Sequence, residues 1–408
     1  MKLILCVSQQ ENTTPYRFSG TGIQVYTFEE VLYHVYHYWK QSVDDITSPH
    51  LTSWIHDSLE LSFLAAKIKD IALMELFSQR MLAFLGIVDY FSKKELEELK
   101  PHLERWEKRL EWETYKERAD DLVERGEPDK AIPLYRRALQ FDENIPVLNN
   151  LSVAYMQVEN YEDACRYLKQ ALKLEQHLDK NPDNGIYRHG RKNSRQLLLH
   201  YAEALIHAGR LEEGAATIDS AAAISPEKAN GDILYLRGEL SLRKGQFPEA
   251  ISYFEQAVDL SDNISSKDQY VFRLSDAYIS KRQFEKALEI LAEYIPNREQ
   301  NLLCLVKEAE LHHLVNNLHA AIQSVKKAIE IKPNYIELWV RLAKYHCLNY
   351  DLPKAEEAVS KALSLDASNE RARLESARIK KGMGHTKAYQ QLLKGILAEF
   401  KGRYREAH

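Results

Sequence analysis

Four carboxylates recur at the spacing of a repeating structural unit, with separations of 36, 37 and 34 residues, and two cations continue the column at intervals of 34. The carboxylates are Glu203, Glu239, Asp276 and Glu310, and the cations are Lys344 and Arg378. If each residue stands on its own helix, neighbours lie roughly 8–10 Å apart, which is too far for one metal ion. The column therefore predicts a row of charges that suits an extended basic peptide or a basic helix.

Nearby positions add aromatic groups and one more cation to this surface. Tyr235, Phe272 and Arg243 fall beside the charged column. Apolar anchors supply affinity in a peptide groove, whereas charges set register and the rate of association. The same charged column also fits an ordinary solvated helix face, and for a single residue that interpretation is favoured. Four carboxylates in succession bring the two interpretations to about equal weight.

Catalytic and metal-binding patterns are not found. His34 and His37 have the spacing of a metal pair on a helix, but no carboxylate or cysteine with regular spacing completes the site. The sequence has no GxSxG, Walker or HExxH motif. We predict a chain that is not an enzyme and that needs no cofactor or metal.

Small residues reveal the elements that position the charges. They form two columns twelve residues apart, and a large apolar residue stands four positions after the second column. Small residues allow helices to approach closely, and large ones fill the space beside them. The first column contains Ala119, Ser152, Ala202, Gly238, Ser275, Ala309 and Ala343; the second contains Ala131, Ala164, Gly214, Ala250, Ala287, Ala321 and Ala355.

One unit, residues 336–369, reads as two amphipathic helices joined by a short turn and resembles the tetratricopeptide repeat (TPR) family. The matching residues are Trp339, Leu342, Ala343, Ala355, Val359 and Ala362. The resemblance covers about residues 112–382 and implies about seven repeats in an all-α, α-α superhelical solenoid. It also implies that ligands bind the concave surface, which is lined by the first helix of each repeat.

The chain is predicted to have three parts. Residues 1–100 lack the repeat and form a small, mostly helical domain with a short hairpin or a sheet of two to three strands. Its strands are predicted at 3–7 and 23–26, and capping boxes at Thr27 and Ser92 open two of its helices. Residues 101–382 form the repeat array, which a basic insertion at 176–194 interrupts. Residues 383–408 form an amphipathic capping helix that covers the last repeat.

Charge and cysteine content narrow the possible partners. The net charge is −5, and residues 1–100 hold fewer basic than acidic residues, so nucleic acid is an unfavoured partner. No segment is apolar enough to span a membrane. The four scattered cysteines indicate a reduced, cytoplasmic protein. The oligomeric state is not predicted.

Two functions fit these observations. The leading one is a protein–protein interaction scaffold whose groove binds a basic segment of a partner. The alternative is a regulator whose groove senses a short peptide and whose N-terminal domain acts on a response protein or on DNA. A clamp for chaperone C-terminal carboxylates is disfavoured, because only Lys116 and Asn150 match it and Asp120 would repel a carboxylate.

Overall fold

The computed structural model describes residues 14–180, 194–224, 231–261, 263–295 and 300–384. The chain divides into two compact units, Met1–Gly209 and Arg210–His408. Within the described residues, both units are built from α-helices, apart from one small sheet. This confirms the predicted helical class with a short hairpin near the N-terminus.

Unit 1 begins with an antiparallel hairpin of β1 (Tyr16–Arg17) and β2 (Gln24–Val25), in which Tyr16 pairs with Val25. The strand predicted at 23–26 is present in shortened form. Its partner is a segment that was not predicted to be a strand, and the strand predicted at 3–7 lies outside the described residues. Five helices follow, namely α1 (Phe28–His37), α2 (Pro49–Asp57), α3 (Ser62–Ala72), α4 (Phe77–Leu85) and α5 (Lys93–Glu107).

Local capping residues determine where two of these helices start. At the start of α1 the Thr27 hydroxyl accepts from the Glu30 backbone N–H at 3.2 Å, and the Glu30 carboxylate accepts from the Thr27 N–H at 3.3 Å. Ser92 and Glu95 form the same reciprocal pair at α5. Each pair satisfies backbone donors that have no partner within the helix. Both predicted capping boxes are confirmed.

The next four helices of unit 1 pack as two pairs on the small-residue columns, and one further helix follows them. Ala119, Ala131, Ser152 and Ala164 are fully buried, and Tyr135 fills the space beside the first pair. These helices are α6 (Glu111–Glu124), α7 (Pro128–Phe141), α8 (Ile145–Gln157), α9 (Tyr161–Lys180) and α10 (Ser194–His207). The basic insertion predicted at 176–194 falls mostly outside the described residues.

Unit 2 repeats the same construction through ten described helices. They are α11 (Leu211–Ala223), α12 (Gly231–Arg243), α13 (Phe247–Asp259), α14 (Ile264–Ser280), α15 (Phe284–Tyr294), α16 (Leu302–Leu314), α17 (Leu318–Ile331), α18 (Ile336–Leu348), α19 (Leu352–Leu365) and α20 (Glu370–Gly382). Nearly all of the capping helix predicted at 383–408 lies outside the described residues.

Gly238 shows why the columns need small residues. A Cβ atom added at Gly238 of α12 would lie 2.6–2.9 Å from ring atoms of Phe254 on α13. This is closer than normal van der Waals contact, so the aromatic ring occupies the space that a side chain would need. None of the helices in the described part of the chain combines the length and apolarity needed to cross a bilayer.

Candidate functional site

The predicted charged column in unit 2 lies on the first helices of successive helix pairs. Glu239 is on α12, Asp276 on α14, Glu310 on α16, Lys344 on α18 and Arg378 on α20. Exposure increases along this row. Glu239 is only 2% exposed and Asp276 is half-buried, whereas the last three side chains are exposed. These five residues were predicted to line a peptide-binding groove, and we call their row the unit 2 groove.

Glu239 does not stand as a free anion, because Arg273 of the next repeat pairs with it. Arg273 Nε lies 2.9 Å from Glu239 Oε1, and Arg273 Nη2 lies 3.2 Å from Oε2. Burial raises the pKa of Glu239, while Arg273 and Arg243 pull it down. Burial by itself would lower the pKa of Arg273, yet the pKa is raised overall, with Glu239 as the strongest opposing cause. Each charge therefore opposes the effect of burial on the pKa of the other.

Asp276 is also paired with cations from the protein itself. Arg273 Nη1 lies 3.5 Å from Asp276 Oδ2, and the ammonium group of Lys307 on α16 contacts Asp276 Oδ1. Acids and bases thus alternate across α12, α14 and α16. The acids were predicted from the sequence, whereas the bases were missed. Arg273, Lys307 and Arg341 stand 34 residues apart and three positions before the column, so their spacing carried the signal.

The aromatic residues predicted beside the column differ in accessibility. Tyr235 is buried, stacks on Tyr270 with ring centroids 5.2 Å apart, and accepts a hydrogen bond from Gln269 at 3.0 Å. Phe272 is half-buried, and Arg243 is exposed. Tyr235 therefore contributes to packing between α12 and α14, whereas Phe272 keeps some surface that a ligand can contact.

The end of the unit 2 groove at α18 and α20 carries two exposed cations. Lys344 forms no ion pair within 4 Å among the described residues, and Arg378 lies 3.9 Å from Glu375. Burial raises the pKa of Glu375, while Arg378 and Lys344 oppose that shift. The charges at this end are therefore less completely paired with opposite charges of the protein than the charges near Arg273.

Glu203, the first carboxylate of the predicted column, is half-buried on α10 and belongs to unit 1. Its place in a groove with the charges of unit 2 stays a prediction.

Unit 1 carries a separate polar network on its first repeats. Asp120 accepts hydrogen bonds from Lys116 at 2.7 Å, Tyr135 at 2.6 Å and Asn150 at 2.9 Å. These contacts occupy Lys116 and Asn150, the two positions that matched a carboxylate clamp. A ligand carboxylate at this place would meet Asp120 and would have to displace it from both donors.

The two candidate metal-binding histidines do not converge. His34 is buried and stacks on Phe18, with ring centroids 3.6 Å apart. His37 packs against Tyr33, with ring centroids 4.2 Å apart. Among the described residues, no group of three or more His, Cys, Asp or Glu side chains is arranged to hold a metal ion.

Comparisons with known proteins identify the repeating unit. Tetratricopeptide repeat models match residues 146–178, 231–264 and 304–335. These ranges correspond closely to the pairs α8–α9, α12–α13 and α16–α17. The matches show tetratricopeptide repeats in this chain and confirm the resemblance. The number of about seven repeats stays a prediction.

One curated relative is the DnaJ homolog subfamily C member 7 homolog of Dictyostelium discoideum. It is 24% identical over 260 residues, which cover 59% of this chain and 46% of the relative. This chain thus matches about half the length of that relative.

Three solved structures resemble this chain at low sequence identity. A tetratricopeptide repeat protein from Parabacteroides merdae is 16% identical, with 66% of this chain and 98% of that chain covered and a TM-score of 0.42. PilW, described as a type IV pilus biogenesis factor, is 16% identical, with 56% of this chain and 97% of PilW covered and a TM-score of 0.43. YrrB, described as a TPR protein with an unusual peptide-binding site, is 17% identical, with 48% of this chain and 94% of YrrB covered and a TM-score of 0.35.

Proposed function

We propose that this chain of tetratricopeptide repeats is a non-enzymatic scaffold that binds a segment of a partner protein in the unit 2 groove. The observation that carries the proposal is the row of charges on successive first helices, which becomes more exposed from Glu239 to Arg378. An extended ligand that crosses the exposed part of the row meets a charged side chain at each of Glu310, Lys344 and Arg378. A cytoplasmic location is part of the proposal, because scattered cysteines suit a reducing compartment.

The ligand segment carries a basic residue that pairs with Glu310. This carboxylate is exposed, whereas Glu239 is buried and held by Arg273. A basic ligand group at Glu239 would have to displace Arg273, and one at Asp276 would have to compete with Lys307. Because displacement leaves a protein cation without its partner, Glu310 is the favoured anchor.

Charge reversal tests this anchor directly. We expect Glu310→Lys to weaken capture of the partner, because the new cation repels a basic segment. Glu330→Lys is the matched control, since Glu330 is exposed on α17, the second helix of the same pair. Affinity capture from the native cell with mass spectrometry identifies the partner, and titration calorimetry with the purified partner measures the change in affinity.

The outcomes separate a scaffold from other roles. A protein retained by the wild type and by Glu330→Lys, but weakly by Glu310→Lys, supports the proposal. Equal binding of a purified partner by all three proteins contradicts the groove as its site. Compaction of the chain in small-angle scattering when a short free peptide binds would instead favour a peptide-sensing regulator.

A further inference from the structure

The two ends of the unit 2 groove differ in how completely their charges are neutralised. Arg273 bridges Glu239 and Asp276, and Lys307 adds a second cation to Asp276. At the α18–α20 end, Lys344 has no ion pair among the described residues, and Arg378 has only the long contact with Glu375. Cation charge is thus available to a ligand at this end.

We infer that the segment bound in the unit 2 groove carries an acidic residue that pairs with one of the two cations Lys344 and Arg378. This inference rests on the proposed function and adds a direction to it. The basic residue of the segment lies at Glu310, and the acidic residue lies toward α20. A segment bound in the opposite direction places like charges together at both ends of the groove, which disfavours that orientation.

The repeat geometry fixes the spacing of these ligand residues. First helices of neighbouring repeats lie roughly 8–10 Å apart, and an extended chain advances about 3.3 Å per residue. One repeat therefore corresponds to about three ligand residues. The acidic residue is expected about three residues from the basic one when it meets Lys344, and about six residues away when it meets Arg378.

Nearby carboxylates favour an acidic peptide over a polyanion. Glu375 lies beside Arg378, Glu310 stands one repeat before Lys344, and Glu337 pairs with Arg371 at 3.0 Å. A single ligand carboxylate that pairs with Lys344 or with Arg378 brings only one negative charge near these acids. A nucleic acid or a polyphosphate spans the whole surface and meets them all, because its charges follow one another without a gap.

A peptide selection tests the inference directly, because it requires only the purified chain and its variants. A random peptide library displayed on phage is selected on the full chain and on the Lys344→Glu/Arg378→Glu variant. A Lys326→Glu/Lys361→Glu variant is the matched control, because these exposed lysines lie on the second helices α17 and α19. Circular dichroism melting shows whether each variant remains folded, and the exposure of all four side chains makes misfolding unexpected.

The wild type and the control are expected to select peptides with an acidic residue about three to six positions from a basic one. The Lys344→Glu/Arg378→Glu variant is expected to lose that acidic preference. For the best wild-type peptide, fluorescence anisotropy should show binding weakened about tenfold in this variant and little changed in the control.

Other results overturn specific parts of the proposal. Groove-binding peptides without acidic enrichment, or an enrichment that survives in the variant, contradict the inference and leave the scaffold function standing. If none of the peptides selected on the wild type binds more weakly to the Glu310→Lys variant, the proposed function itself is contradicted. Tight binding of single-stranded DNA that depends on Lys344 and Arg378 contradicts an acidic peptide as the ligand.

Discussion

Arg273 on α14 reaches back to Glu239 on α12, with its Nε 2.9 Å from Oε1. Glu239 is 2% exposed, whereas about a third of the Arg273 side chain remains accessible. One member of the pair is therefore a buried carboxylate that depends on a cation from the following repeat. This contact couples two neighbouring first helices through charge as well as through packing.

Removing the cation should destabilise unit 2. We expect Arg273→Leu to lower the free energy of unfolding by roughly 2–3 kcal/mol, because it leaves the buried Glu239 carboxylate without its partner. The loss is smaller than for a fully buried ion pair, because Arg273 is partly solvated. Hydrogen exchange of α12 and α14 measures the change in local unfolding free energy. Lys244→Ala, at an exposed lysine just after α12, is the control and should leave exchange unchanged.

The defect of Arg273→Leu should also depend on pH. Burial raises the pKa of Glu239, and removing Arg273 takes away the largest cause that opposes this rise. A carboxyl whose pKa is raised on folding stabilises the fold in its protonated form and loses that contribution as pH rises through its folded pKa. The variant should therefore lose less stability at about pH 4 than at about pH 7. An equal loss at both values would contradict the assignment to Glu239.

Gly238 should be intolerant of a side chain. We expect Gly238→Ala to destabilise unit 2 by about 1–3 kcal/mol, because the added methyl overlaps the Phe254 ring and the helix pair must shift. Gly382→Ala is the control, since a Cβ there meets Leu352 at an ordinary distance of 3.4 Å. Urea unfolding followed by circular dichroism measures both. Adding Phe254→Leu to Gly238→Ala should restore part of the loss, and no restoration would argue against the steric cause.

Local patterns in the sequence were sufficient to predict much of the fold. The capping boxes at Thr27 and Ser92 and the small residue at Gly238 depend on neighbours within a turn or within one helix pair. β1 and β2 have only two residues each, too few for an alternating pattern, so β1 was missed and β2 was predicted two residues too long. The 34-residue spacing of Arg273 and Lys307 is visible in the sequence, but their pairing with Glu239 and Asp276 was missed because contact between repeats depends on side-chain reach.

Gln41 should hold the N-terminal helices of unit 1 against the first repeat. Its side-chain N–H groups donate to the Arg118 carbonyl at 2.8 Å and to Asp121 Oδ2 at 3.0 Å, and the residue is fully buried. We expect Gln41→Leu to cost about 1–3 kcal/mol, because the Arg118 carbonyl loses a buried donor. Hydrogen exchange should rise in α1 and α6. Gln79→Leu, at an exposed glutamine on α4, should leave both helices unchanged.

His34 should make unit 1 sensitive to mild acid. Its ring stacks on Phe18, Nε2 lies 2.7 Å from Thr21 Oγ1, and Nδ1 lies 3.2 Å from Ser42 Oγ. Burial lowers the pKa of His34 to about 4, and the positive charge of Arg125 contributes. The folded state thus keeps the imidazole neutral where an unfolded chain would already bind a proton.

The direction of the pH effect follows from this difference. A histidine whose pKa is lowered on folding contributes its full stability above about pH 6.5 and loses it as pH falls toward about 4. The loss is about 3 kcal/mol at 1.36 kcal/mol per pKa unit.

We expect His34→Gln to make the free energy of unfolding of unit 1 less dependent on pH across this range. The slope of that free energy against pH should fall by the equivalent of about one bound proton. Urea titrations followed by tryptophan fluorescence measure it, since four of the five tryptophans lie in unit 1. His50→Gln, at an exposed histidine with a comparable side-chain change, should keep the wild-type slope. A His34→Gln slope equal to that of His50→Gln would show that another group governs the acid response.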